Sequence, residues 1–210
     1  MNPVLTLDHV SYSYHTPSGE TPALKDVSFS VRPGSFTSIA GPSGCGKSTL
    51  LSLIAGLIAP EKGCIRFYKS DAMPAAARIG YMLQHDTLLE WRTIYKNILL
   101  GLEVTHQCTE QKKRLAADMM HDYGLASFKN AHPSELSGGM RQRAALIRTL
   151  VLEPDILLLD EPFSALDYQT RLEVSDDIFR IIKEQEKTAL LVTHDTVSYT
   201  HLTLPTTERV

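Results

Sequence analysis

The sequence predicts an α/β fold with a parallel, doubly wound core, an N-terminal antiparallel β subdomain and an inserted α-helical subdomain. Three observations predict it. Apolar runs at residues 36–40, 156–159 and 189–192 are continuous rather than alternating, as suits strands buried on both faces of a parallel sheet, and helical stretches separate them. Residues 4–31 instead alternate and are broken by Pro17, Gly19 and Pro22, the spelling of an antiparallel hairpin. From residue 94 the period changes to that of amphipathic helices.

Bulk properties bound the reading. The chain has 210 residues, 43% hydrophobic and 21% charged, enough for one domain with a subdomain and a substantial core. A net charge of -3 argues against nucleic acid as a partner, because a phosphate backbone calls for a basic face. Cys45, Cys64 and Cys108 are scattered and form no C-x-x-C pair, so neither zinc nor a disulfide framework is expected, and a reducing cytosol fits. The first residues carry no basic segment followed by an apolar core, and no stretch approaches the ~20 apolar residues of a membrane helix. Any membrane role is expected to come through partners.

In chain order, residues 4–14 read as an edge-type strand ending in Tyr12 and Tyr14, with a turn at 15–22 and a return strand at 27–31 stopped by Pro33 and Gly34. Residues 36–40 form a buried strand and 48–57 a helix ending near Gly56. Short strands follow at 64–67 and 79–83, the latter ending at Gln84. Residues 94–125 are mainly helical, with Lys112, Arg114, Asp118 and Asp122 outward and Leu115, Met119 and Met120 inward. Pro133 opens a loop before a helix at 141–152, which Pro154 stops. The strand at 156–159, a helix at 173–185 and the strand at 189–192 complete the pattern.

The chemistry concentrates at strand ends. Between the strand at 36–40 and its helix stand Gly41, Pro42, Ser43, Gly44, Cys45, Gly46, Lys47, Ser48 and Thr49. They fit G-x-x-x-x-G-K-[ST], the phosphate-binding P-loop. A polyphosphate is a dense anion, and backbone N–H groups converge on it only where no Cβ intervenes, hence Gly41, Gly44 and Gly46. Lys47 is expected to reach the β- and γ-phosphates and the Ser48 hydroxyl to hold Mg²⁺. Asp160 and Glu161 end the strand at 156–159, at the sheet edge where ligands bind. Asp160 is the expected Mg²⁺ partner and Glu161 the general base that polarises the attacking water. His194 follows the next buried strand, where it could touch a γ-phosphate. Gln84, at a third strand end, could sense the metal or the water. Ser137, Gly138 and Gly139 precede a helix and form a second hydroxyl-plus-amide anion site. Two anion sites beside one ATP suggest that the second serves another molecule's nucleotide.

With these residues in view, the chain resembles the ATP-binding cassette family over about residues 4–196. The Walker A loop is Gly41 to Thr49, the Q-loop Gln84, and the signature Leu136-Ser-Gly-Gly-Met-Arg-Gln-Arg143. Asp160 and Glu161 end the Walker B strand, the D-loop is Ser164-Ala-Leu-Asp167, and His194 marks the H-loop. Tyr14 resembles the aromatic that stacks on adenine, with Tyr12 as the alternative. The resemblance implies a P-loop NTPase (RecA-like) core at residues 1–86 and 151–196 and a helical signature subdomain at 87–150. It implies a head-to-tail homodimer, or a pair with another cassette, that sandwiches two ATPs between P-loops and partner signatures. Closing and reopening of that sandwich would drive transmembrane permease subunits, served indirectly by a substrate-binding protein, from the inner face of the membrane. Gln84 and the segment after it would couple to the membrane subunit, with Trp91 either in that contact or a core aromatic of the helical insert.

Ninety residues separate Lys47 from Ser137, which excludes the long coiled coil of chromosome-maintenance ATPases. One cassette and no fused domain resemble a bacterial importer subunit. The segment after Gln84 resembles the nitrate, sulfonate and taurine importer ATPases, which often read LLPWRTVLENV here; Glu90 stands where that pattern has proline. A non-transport cassette ATPase would call for a basic face or a second cassette, and an inactive regulatory subunit for loss of Lys47, Glu161 or His194. Neither expectation is met. After Asp195 the resemblance stops: the last residues are rich in Thr, contain Pro205 and carry no helical stripe, which is expected of a truncated chain with a foreign tail at 197–210, the alternative being a genuinely divergent tail.

Overall fold

The computed structural model describes residues 2–17, 19–68, 76–164 and 166–194. In chain order the elements are β1 (Leu5–Thr16), β2 (Gly19–Val31), β3 (Phe36–Ala40), α1 (Lys47–Ile54), β4 (Lys62–Phe67) and β5 (Ile79–Met82). Then come α2 (Ile94–Val104), α3 (Glu110–Asp122), α4 (Gly138–Leu150), β6 (Ile156–Asp160), α5 (Tyr168–Glu184) and β7 (Thr188–Thr193). The chain divides into two compact units, one of residues 1–79, 155–161 and 186–210, the other of 80–154 and 162–185.

The first unit carries two sheets. An antiparallel sheet runs β2-β1-β4, with Leu5 opposite both Val31 and Phe67. β2 is longer than the return strand expected at 27–31, because Pro22 pairs with Ser13 on the sheet's outer strand, where a missing N–H donor is tolerated. The parallel strands β3, β7 and β6 lie side by side, Ile39 opposite Val192 and Leu159 opposite Leu191. Every residue of β6 and β7 is buried, which is why their sequences lack polar alternation. Leu50, Leu51, Leu53 and Ile54 of α1 are buried with them.

The second unit is mainly helical. The stretch 94–125 is interrupted after Val104, where His106 takes a positive φ of 56°, and resumes at α3 under the Thr109 hydroxyl, which accepts the Lys112 N–H. α3 buries Ala116, Met119 and Met120; Leu115 is only half-buried. α2 packs on α4, with Ile98, Leu102, Leu146 and Ile147 excluded from water. α4 and α5 start earlier than expected, capped by Ser137 and Asp167. Among the described residues no helix is long and apolar enough to cross a membrane. The expectations for residues after His194, and the Ala165 position of the D-loop, lie outside the described residues.

Candidate functional site

In the first unit, β3 delivers the chain to the loop, and the Gly41 N–H is tied to the Thr193 carbonyl of β7 at 3.2 Å. Gly44 and Gly46 hold φ of 81° and 98°, left-handed conformations that only glycine adopts at low cost. A Cβ on Gly46 would stand 2.4 Å from the Ala23 carbonyl oxygen, so the position requires glycine twice over. Gly46 caps α1 without a side chain to accept first-turn N–H groups, which leaves those donors to an anion.

Lys47 is buried, and its ammonium donates to the Gly41 and Pro42 carbonyls at 2.8 and 2.9 Å. It also stands 3.6 Å from a Glu161 oxygen. The Ser48 hydroxyl donates to the Asp160 carboxylate at 3.0 Å. His194 Nδ1 lies 2.9 Å from the other Glu161 oxygen. Glu161 therefore sits between the loop's lysine and the histidine after β7. It does so with φ of 43°, a left-handed conformation that costs a residue with a Cβ about 1–2 kcal/mol. Its N–H bonded to the Val192 carbonyl at 3.0 Å and its two charged or polar neighbours hold it there. Strain of this kind, overdetermined by its surroundings, gathers at functional sites.

Tyr14 lies at the edge of this group, 45% exposed, with its hydroxyl 3.1 Å from Thr49 Oγ1. The Tyr12 and Tyr14 rings meet at 89° with centroids 5.1 Å apart. Tyr14 is thus partly exposed beside the loop's helix, with Tyr12 as its aromatic neighbour. Its bond to Thr49 had no signal in the sequence, because the partners are 35 positions apart.

The second unit holds the remaining expected residues. The Gln84 side chain is exposed and donates to Ser164 Oγ at 3.2 Å; Ser164 opens the D-loop, and its pairing with Gln84 across 80 positions has no local signal. Ser137 accepts the Met140 N–H at 3.4 Å, which caps α4. Cβ atoms on Gly138 and Gly139 would stand 2.8 Å from Leu166 Cδ2 and 2.6 Å from Val174 Cγ2. The glycines let α4 approach the start of α5, and a cleft of about 470 Å³ opens there, lined by Ser137, Gly138, Gly139, Arg143 and Asp167 among others. Asp167 caps α5, and the Thr170 N–H it accepts holds its carboxyl below the usual carboxylate range. Trp91 is 76% exposed, so it is not a core aromatic.

Among the described residues no cluster of three or more His, Cys, Asp or Glu could hold a metal ion. The hydroxyl–carboxylate pair of Ser48 and Asp160 is nonetheless the donor set that suits Mg²⁺, which takes one or two protein oxygens and completes its shell with water and phosphate.

The chain is similar to known proteins. The ABC transporter family model matches residues 24–164. YtlC, an ABC transporter ATP-binding protein of Bacillus subtilis, is 49% identical over 191 residues, 91% of this chain and 74% of its own. The aliphatic sulfonates import ATP-binding protein SsuB 1 of Rhodococcus jostii is 45% identical over 176 residues, 84% of this chain and 68% of its own. A solved dimeric ATP-binding cassette in a post-hydrolysis state, bound to ADP and Pi, superposes with a TM-score of 0.75 at 31% identity, covering 92% of this chain and 89% of that one. The fold expected from the sequence, a P-loop NTPase core with added β and helical parts, is the fold shared with this solved cassette. The chain belongs to the ABC transporter family, as one of its ATP-binding, ATP-hydrolysing cassettes.

Proposed function

We propose that the protein energises uptake of a small solute through partner permease subunits, from the inner face of the membrane. Residues 1–86 and 151–196 serve as its nucleotide-binding core and 87–150 as its signature-bearing helical subdomain. The observation that carries the hydrolytic part is Glu161, held in a strained backbone between Lys47 and His194 at the end of β6.

The P-loop N–H groups and Lys47 receive the ATP phosphates, and Lys47 exchanges its contacts with Gly41, Pro42 and Glu161 for them. Glu161, released from that ion pair, takes the proton of the attacking water. His194 Nδ1 steadies the second carboxylate oxygen, and Tyr14 offers its ring to the adenine. Ser48 and Asp160 would hold Mg²⁺, which supplies neutralisation of charge on the β- and γ-phosphates. Gln84, held by Ser164, reports on the metal and water. Ser137, Gly138 and Gly139 close over the nucleotide of a second protomer in a head-to-tail pair; the solved cassette above is dimeric too.

The solute is a small nitrate-, sulfonate- or taurine-like anion or another small organic compound. The support is the identity of 45%, 42% and 41% to proteins named as aliphatic sulfonates, nitrate and taurine import ATP-binding proteins, together with the segment after Gln84. A substrate-binding protein delivers the solute to the permease. In the Glu161→Gln variant, ATP binding is expected to persist while turnover falls by about 10²–10⁴-fold, the usual worth of a general base. Turnover within threefold of the parent would remove Glu161 from that role.

A further inference from the structure

The segment that follows Gln84 is bound to the signature helix by a network that neither the ATP site nor the membrane-subunit contact expected of Trp91 requires. Arg141 lies in the first turn of α4, four positions after its Ser137 cap. Its guanidinium donates to both Asp86 oxygens, from Nε at 2.8 Å and from Nη2 at 3.2 Å. Nη2 also donates to Glu90 Oε1 at 2.9 Å, and Nη1 to the Pro133 carbonyl at 3.3 Å. Farther along α4, Arg148 donates to the Asp86 and Thr87 carbonyls at 2.7 and 2.8 Å and to the Thr87 hydroxyl at 2.9 Å.

The segment itself is stiff. Asn97 is fully buried, and its side-chain amide takes the Leu89 N–H and donates to the Leu89, Arg92 and Thr93 carbonyls. A rigid segment fixed by charge-assisted, partly bidentate bonds to one helix moves with that helix. Burial alone would raise the Asp86 carboxyl, but the hydrogen bond from Arg141, the Leu88 N–H and the two arginine charges hold it below its ordinary value, so Asp86 is a carboxylate at neutral pH. The third link belongs to this chain: Glu90 stands where the importer pattern reads proline, and a proline side chain offers no acceptor.

We propose that Arg141, gripped by Asp86 and Glu90, is a positioning residue that relays movement between the signature's first turn and the segment bearing Trp91. When ATP draws Ser137, Gly138 and Gly139 onto a second protomer, this grip carries the 86–92 segment along. Movement imposed on that segment by a membrane subunit returns to the signature by the same route. The inference rests on the ATP sandwich proposed above.

Trp91 makes the relay measurable, because it is the chain's only tryptophan and is 76% exposed. The experiment follows Trp91 emission and light scattering together in the Glu161→Gln protein, with and without ATP and Mg²⁺. The parent is expected to dimerise with ATP and to shift its emission at the same ATP concentration. Two further variants in that background break the network from opposite sides: Arg141→Met, and Asp86→Asn with Glu90→Gln. Both are expected to form the ATP-dependent dimer while the emission shift is lost. Absence of dimer in the parent would overturn the sandwich itself and the relay with it. A parent dimer without an emission shift, a full shift in either variant, or loss of dimerisation in both variants would overturn the relay alone, leaving Arg141 a structural strut.

Discussion

Glu161 and Gly46 share a left-handed backbone, yet opposite predictions attach to them. At Glu161 the conformation is held against its cost by the Val192 carbonyl, Lys47 and His194, so the side chain is what the strain serves. At Gly46 the absence of a side chain is the point. Gly46→Ala adds about 1–2 kcal/mol of backbone strain and forces the new Cβ against the Ala23 carbonyl, a backbone atom that cannot swing aside. Nucleotide affinity is expected to fall at least tenfold in equilibrium binding, with a lower thermal midpoint. Unchanged affinity would mean that the loop re-forms elsewhere. Asp86 carries a pH signature. Its folded pKa is depressed, so its contribution to stability is complete above the unfolded value of about 3.9. It shrinks as pH falls below that and is gone beneath the folded value. Denaturant titrations of the parent and Asp86→Asn should differ by a constant amount at pH 6–8 and converge in acid; a gap that widens in acid would contradict the assigned partners. The P-loop spelling made the loop and its left-handed glycines legible, whereas Tyr14 with Thr49, Gln84 with Ser164 and Asp86 with Arg141 are pairs formed by the fold across 35, 80 and 55 positions, and no local pattern announces them.

At the scale of elements, buried strands were readable because burial on both faces writes itself as an unbroken apolar run, as in β6 and β7. Helix starts were not. α4 and α5 begin three and five residues before the apolar stripe suggests, because Ser137 and Asp167 cap turns that carry glycines or polar residues. Proline likewise misled at β2, where Pro22 sits within an outer strand. The two glycines that open α4 are costly to helix formation, by up to ~1 kcal/mol each, and their retention is explained by closeness to α5. Gly139→Ala tests which effect wins. Its helix propensity improves, but the Cβ would meet Val174 Cγ2 at 2.6 Å and Thr170 Cγ2 at 3.4 Å, and overpacking costs about 1–3 kcal/mol. The variant is expected to melt a few degrees lower, and Gly139→Ala with Val174→Ala to recover more than the sum of the separate effects. Additive losses would show that α4 and α5 do not press on each other there.

At the scale of the whole molecule, the order of motifs along the chain announced the family, while the proposed assembly is a claim about two groups of residues that mixing variants can test. The phosphate loop with Asp160, Glu161 and His194 belongs to one compact unit, and Ser137, Gly138, Gly139 and Asp167 to the other. If the second group serves a partner's nucleotide, defects in the two groups must complement between chains. Ser137→Arg is expected to bind ATP as a monomer but to form no ATP-dependent dimer, because a long cation replaces the small cap of α4. Lys47→Ala is expected to lose ATP binding and so to stay monomeric too. In a mixture of the two, a head-to-tail pair has one site spoiled by both substitutions and one built from the intact Lys47 of the first variant and the intact Ser137 of the second. Light scattering should then report an ATP-dependent dimer, and turnover should rise above that of either variant alone. A mixture as inert as its components, with the Ser137→Arg chain still binding ATP, would mean that Ser137 acts within its own chain, and the sandwich would have to be abandoned.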